Sequence, residues 1–269
     1  NANMYGRNLS HPNLGYEWIQ GKEGFEMEKN SSGNNVWPQS DLYMVQQTMD
    51  DYINEEHFHA YYLTVSGHMP YNFTGDSMAV RNKAALEATT YSNETKAYLA
   101  ANMEVEKALT YLVEQLEAAG KAENTLIVLS PDHIPYFDVD IMEELSGKTF
   151  GGSSIESLQE SDLDFDLYKS SLIIWSASMK EPVVVKKPCS QVDILPTISN
   201  LMGLSYDSRL LVGSDILSTA PGLVIFTSSS FLSDYGLYNR YKGSFTQAEG
   251  IMMSEEEQAE YISIMKKVV

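Results

Sequence analysis

The pattern of apolar and polar positions divides the chain into readable segments. Between residues 94 and 119, Tyr98, Ala101, Val105, Leu109, Leu112 and Leu116 recur at steps of three and four, and Gly120 follows where a helix stops. The spacing predicts a long amphipathic helix. Leu42, Val45, Met49 and Ile53 repeat the same period behind Ser40 or Asp41, either of which suits an N-cap, so a second helix is expected to about Asn54. The run Phe58 to Val65 is dense in aromatic and β-branched residues and ends at Ser66-Gly67-His68-Met69-Pro70, which predicts a buried strand feeding a loop. Thr125 to Ser130 is a short apolar run of the kind found in strands covered on both faces. Strand, helix and strand in this order imply a right-handed crossover in a parallel sheet. Further strands are expected at residues 172–175, 183–185 and 223–226, with a helix over about 191–202. The first 35 residues, rich in Asn, Gly and Ser, fit neither period and predict ordered loop with short helical turns.

Composition narrows the classes. A chain of 269 residues with 43% hydrophobic residues can bury a large core, so a folded α/β unit is expected rather than disorder. Lys and Arg number 18 against 37 acids, a formal charge of -19, which excludes a broad basic face and with it a nucleic-acid partner. The acid is either a solvated surface or a field that gathers divalent cations. One cysteine, Cys189, excludes an intrachain disulfide and a multi-cysteine zinc site. No run approaches the roughly 18 apolar residues of a membrane span. There is also no glycine-rich phosphate loop, Gly-x-Ser-x-Gly elbow, paired-histidine zincin helix or dinucleotide fingerprint.

Two of the five histidines fall in loops after predicted strands, where open α/β sheets place their ligands. Asp132 and His133 stand side by side between Pro131 and Pro135. A carboxylate with an imidazole suits manganese or zinc, and the same pair could equally hydrogen-bond a turn. His68, behind Gly67, could bind an oxyanion or protonate a leaving group, or pack beneath aromatic neighbours. Gly67 would permit close approach by a ligand. Arg7 offers a guanidinium fork that matches tetrahedral oxyanions, although a lone N-terminal arginine is commonly just surface. His57, His59 and Asp193 read as structural, Asp193 as a helix cap.

Taken in order, Tyr5-Gly6-Arg7, Leu14-Gly15-Tyr16, the stretch Leu63 to Tyr71, Leu129-Ser130-Pro131-Asp132-His133, and Val192-Asp193-Ile194-Leu195-Pro196-Thr197 resemble the sulfatase-type domain of lipoteichoic acid synthases and related phosphoglycerol transferases. The resemblance implies an α/β fold of the sulfatase and alkaline phosphatase superfamily. Its mostly parallel central sheet would be flanked by helices and truncated at the N-terminus, with a small C-terminal strand-plus-helix region. Residues 1–220 would be the C-terminal part of the catalytic domain, and 221–269 would complete it or be appended to it.

The resemblance also implies roles. Arg7 and Tyr5 would lie beside the substrate phosphate, His68 would bind substrate and act in catalysis, and Asp132 and His133 would ligate a divalent metal. Manganese is expected, with calcium, magnesium or zinc as alternatives. The nucleophile, a glutamate ligand and a further histidine would lie upstream of Arg7. The partners implied are a phospholipid head group and a glycolipid or polymer acceptor, with membrane helices preceding a catalytic domain outside a Gram-positive-type cell. Ser66-Gly67-His68 departs from the more usual Thr-Asn-His, so an asparagine contact beside the substrate would be missing or made otherwise. The alternatives are a sulfatase on the same scaffold, which usually uses calcium, and a non-catalytic surface domain.

Overall fold

The structure, a computed structural model, describes residues 4–19, 24–133, 139–150 and 164–268. Two compact units divide the chain: Asn1–Val128, Pro135–Ile155 and Ile173–Met179 form the first, and Leu129–Ile134, Glu156–Leu172 and Lys180–Val269 the second.

The first unit is organised by helices. A short helix α1 (Arg7–Asn13) is followed by α2 (Asp41–Thr48), α3 (Ser77–Asn82), the 26-residue α4 (Asn93–Ala118) and α5 (Val139–Ser146). The strands β1 (Ile127–Leu129) and β2 (Ile173–Trp175) pair with each other. Helix α4 starts where the Ser92 hydroxyl accepts the Thr95 N–H at 3.1 Å and stops at Gly120, whose φ of +68° a β-carbon would oppose. Its first half buries Ala97, Ala100 and Ala101 against Ala79 of α3, small residues that let the two backbones approach closely. Its second half buries Ala108 and Leu116 with Val45, Met49 and Ile53.

Between these faces lies Glu104, fully buried, whose carboxylate binds all three helices. It accepts from the Ser40 hydroxyl at the start of α2, from Arg81 Nη1 of α3 at 3.0 Å, and from Asn82 Nδ2 at 3.3 Å, with Lys107 Nζ at 3.7 Å. Burial raises its proton affinity, but the hydroxyl, the amide and the two cations outweigh burial and hold the carboxyl below its ordinary range.

The second unit contains α6 (Ile194–Leu201), a four-stranded antiparallel meander and the helix α7 (Glu255–Met265). The meander runs β3 (Leu223–Ile225), β4 (Phe231–Ser233), β5 (Gly236–Asn239) and β6 (Ser244–Gln247), with Phe231 opposite Tyr238 and Tyr238 opposite Phe245. Tyr261 of α7 packs its ring on Phe231, Tyr235 and Phe245, which gives this sheet its own aromatic core. Ahead of α6, Asp193 accepts from the backbone N–H groups of Ser190 at 2.7 Å and Ser214 at 2.8 Å, the structural part expected of it. Residue 213 is necessarily glycine, because a β-carbon there would stand 2.0 Å from the Val192 carbonyl oxygen.

Several expectations meet the structure differently. The second helix ends at Thr48, and a 3-10 turn, Met49–Asp51, carries Met49 into the core. Residues 58–65 form no ladder with a described strand, and Tyr61 and Leu63 are exposed, so the expected buried strand is absent. The backbone there ends on side-chain partners instead, as described below. Residues 183–185 likewise pair with no described strand, and Val183 and Val184 are exposed.

Asp76 supplies a test of burial. Its Oδ1 caps α3 by accepting from Met78 and Ala79 N–H at 2.9 and 2.8 Å, while its buried Oδ2 has no hydrogen-bond partner. Burial pushes this carboxyl from 3.8 up to about 6, against the two backbone bonds. With the folded value above the unfolded one, the favourable contribution is present at low pH and lost as pH rises through about 6. Asp76→Asn keeps an acceptor and removes the titration. Urea unfolding at a series of pH values should show the wild-type chain losing stability relative to this variant from about pH 4 to about pH 6; parallel curves would remove the burial argument.

Candidate functional site

The loop that carries His68 is held from below by Asp41. This fully buried carboxylate accepts the Val65 N–H at 2.8 Å, the Ser66 N–H at 3.0 Å and the Ser66 hydroxyl. Burial, with the Glu104 charge adding to it, raises its proton affinity, and the three bonds work in the opposite direction. Gly67 then passes the body of α4 so closely that a β-carbon would meet Asn102 Oδ1 at 2.8 Å. The space expected to admit a ligand beside Gly67 is therefore filled by the Asn102 amide. His68 itself is exposed. Its Nδ1 lies 3.0 Å from the Met69 carbonyl oxygen, and Trp37 Nε1 donates to the same oxygen at 3.1 Å. The Trp37 and His68 rings meet nearly edge-on, centroids 5.3 Å apart and planes at 70°.

Tyr5 and Arg7 come together as a second element of the first unit. Tyr5 has a φ of +57° and Gly6 one of +65°, so two successive left-handed residues turn the chain into α1. A left-handed tyrosine costs about 1–2 kcal/mol, the kind of strain that clusters at functional positions. The Arg7 guanidinium carbon lies 5.4 Å from the Tyr5 ring centroid, while that ring remains 82% exposed. No residue of α1 is buried. The segment is anchored by rings: His11 packs against Tyr16, Trp18 and Tyr61, and the Tyr16 hydroxyl lies 3.1 Å from His59 Nδ1. The Tyr16 and His59 rings lie 5.3 Å apart, so His59 takes part in this anchoring.

In the second unit, Asp132 and His133 lie at a bend following β1, with Oδ1 and Nε2 3.6 Å apart and both side chains substantially exposed. Gln191 Nε2 donates to the Pro131 carbonyl at 2.7 Å and ties this bend to the turn preceding α6. A hard carboxylate oxygen beside an imidazole nitrogen fits manganese or zinc, and fits an all-oxygen calcium shell poorly. The pair supplies two donors; among the described residues no three His, Cys, Asp or Glu side chains gather as a cation cage. Ile134, Pro135 and Tyr136, the remainder of the predicted loop, lie outside the described residues.

The profile of the family described as "Sulfatase" matches residues 1–204. The chain belongs to the sulfatase family. Among curated proteins, this family member is similar to the lipoteichoic acid synthase-like protein YvgJ of Bacillus subtilis (strain 168), 22% identical over 222 residues, which covers 79% of this chain and 34% of that protein. It is also similar to a lipoteichoic acid synthase of Staphylococcus saprophyticus, 23% identical over 172 residues, covering 62% of this chain and 24% of that one. The steryl-sulfatase of Rattus norvegicus is 27% identical over 144 residues, covering 52% of this chain and 24% of that protein. The chain thus spans about a third of the length of the first of these relatives. Among solved structures, the crystal structure of the lipoteichoic acid synthase LtaP from Listeria monocytogenes superposes with a TM-score of 0.69 at 21% identity, covering 99% of this chain and 65% of that one. The sulfatase and alkaline phosphatase-like α/β fold expected from the motifs is the fold observed. No described helix is long and apolar enough to cross a membrane.

Three residues that shape these elements were not singled out for that purpose in the sequence: Trp37, Asp41 and Gln191. Asp41 gave a signal, since an acid at a helix start is read as a cap, but the cap is Ser40, which accepts the Tyr43 N–H at 3.0 Å. Removing Asp41 would leave two backbone N–H groups without their charged acceptor, each such bond being worth about 1.5–3 kcal/mol. Asp41→Ala should therefore destabilise the chain by roughly 3 kcal/mol in denaturant unfolding and speed amide exchange at Val65 and Ser66; slow exchange at both would mean that the loop is held by other contacts.

Proposed function

We propose that this sulfatase-family domain serves in the transfer of a phosphoglycerol, or similar phospho-alcohol, group from a membrane phospholipid to a glycolipid or polymer of the cell envelope, with the domain outside the cell. The observation that carries the reading is the exposed imidazole of His68, anchored through Nδ1 with Nε2 left for substrate, on a chain with relatives named lipoteichoic acid synthases.

Arg7 would grip the non-bridging phosphate oxygens, since a guanidinium fork matches an oxyanion in two places. The Tyr5 ring against it would limit the side chain's freedom. His68 would pass a proton from Nε2 to the departing alcohol oxygen. Asp132 and His133 would hold a divalent cation, manganese by the chemistry of the two donors. When bound, such a cation supplies charge neutralisation at phosphate oxygens and lowers the proton affinity of a hydroxyl. The nucleophile is assigned to no residue of this chain.

A second reading, hydrolysis of a sulfuric ester, is favoured by the similarity to steryl-sulfatase. Assays of the intact protein with phosphatidylglycerol vesicles and with an aryl sulfate separate the two, because diacylglycerol release is expected only from the first and sulfate release only from the second. In the intact protein, Asp132→Ala should weaken manganese binding by at least tenfold in calorimetry; an unchanged affinity would take Asp132 out of the shell. His68→Ala should lower turnover about 100-fold or more, the scale of a lost acid-base group, while leaving manganese affinity in place. Loss of metal instead would assign His68 a different role.

A further inference from the structure

The Met69 carbonyl oxygen receives two ring N–H groups, and this is what sets the state of His68. A carbonyl oxygen only accepts, so the His68 Nδ1 at 3.0 Å must carry the proton. The second lone pair takes the Trp37 indole N–H at 3.1 Å, which leaves this oxygen fully engaged. Trp37 is itself fixed at its backbone, where its carbonyl accepts the Ser77 N–H at 2.8 Å and the following Pro38 is buried. Trp37 as a whole remains 45% exposed. The indole meets the His68 ring edge, and its N–H holds the acceptor that His68 shares.

We propose that Trp37 is a positioning residue for His68. By holding the Met69 carbonyl, it selects the tautomer protonated at Nδ1 and directs all proton exchange with substrate to Nε2. In that tautomer Nε2 carries a lone pair that takes the proton of the incoming acceptor hydroxyl, and the protonated ring then gives a proton to the departing ester oxygen of the next donor, returning to the same neutral form. Without the indole N–H, the carbonyl can rotate and the ring can carry its proton on either nitrogen, so a fraction of molecules presents the wrong atom. The proposal concerns the same histidine as the phosphoglycerol-transfer reading and rests on it for its meaning, but the tautomer can be measured without turnover.

The test is a long-range proton–nitrogen correlation spectrum of the histidine-labelled chain at a pH where His68 is neutral. The unsubstituted chain should show His68 as one species protonated at Nδ1, with the Trp37 indole proton exchanging slowly. In Trp37→Phe, which keeps an aromatic edge and loses the N–H, a second species protonated at Nε2 should appear; Trp37→Ala should shift the balance further. In the active intact protein, both variants should lower kcat several-fold with little change in KM. A wild-type chain with mixed tautomers would overturn the proposal without any substitution. So would a Trp37→Phe spectrum identical to that of wild type. If the intact protein moves no phosphoglycerol, the functional reading fails while the nitrogen spectra still decide the part played by Trp37.

Discussion

Two consecutive side chains, Ser40 and Asp41, connect the helical core of the first unit to the loop that presents His68. The Ser40 hydroxyl completes the coordination of the buried Glu104 carboxylate, where α2, α3 and α4 meet. The Asp41 carboxylate takes the backbone at Val65 and Ser66. Stranding a buried carboxylate oxygen costs free energy, so Glu104 and Asp41, whose oxygens are engaged, each enforce the geometry that satisfies them. The helices cannot slide without stranding Glu104, and the loop cannot lift without stranding Asp41. The position of an exposed imidazole is thereby inherited from the interior.

The second unit uses a gentler version of the same device. Asp193 stabilises the turn ahead of α6 through two backbone N–H groups, and that turn lends Gln191 to the carbonyl preceding Asp132 and His133. Asp132 and His133 are exposed, and the bend that carries them is met at the Pro131 carbonyl by the neutral Gln191 amide, whose own turn is held by the Asp193 carboxylate. Orientation is thus separated from charge: the Asp132 oxygens are not spent on building the bend.

What the sequence disclosed follows from the range over which each signal acts. Helix α4 was legible because its period and its terminal glycine are local. Tyr5 with Arg7 and Asp132 with His133 were singled out by their motifs, and what the structure adds is proximity within each pair: the left-handed backbone at Tyr5 with its ring against Arg7, and 3.6 Å between Asp132 Oδ1 and His133 Nε2. The run 58–65 was misleading because aromatic and β-branched residues report strand propensity, whereas a strand also needs a partner. Asp41 was ambiguous, since a helix cap and a long-range backbone acceptor look alike in one dimension. Trp37 gave no local sign at all; its contacts to residues 68, 69 and 77 exist only once the chain has folded.

Gly213 illustrates how unevenly such a fold tolerates change. The three atoms nearest to a β-carbon at this position are all backbone atoms of Val192 and Asp193, between 2.0 and 2.7 Å away, so no rotamer adjustment can make room. The preceding Val212 is 89% exposed. Neighbouring positions therefore differ in what they can hold: a side chain at 212 stands in solvent, while any side chain at 213 pushes against the turn that supports Asp193 and, through Gln191, the bend carrying Asp132 and His133.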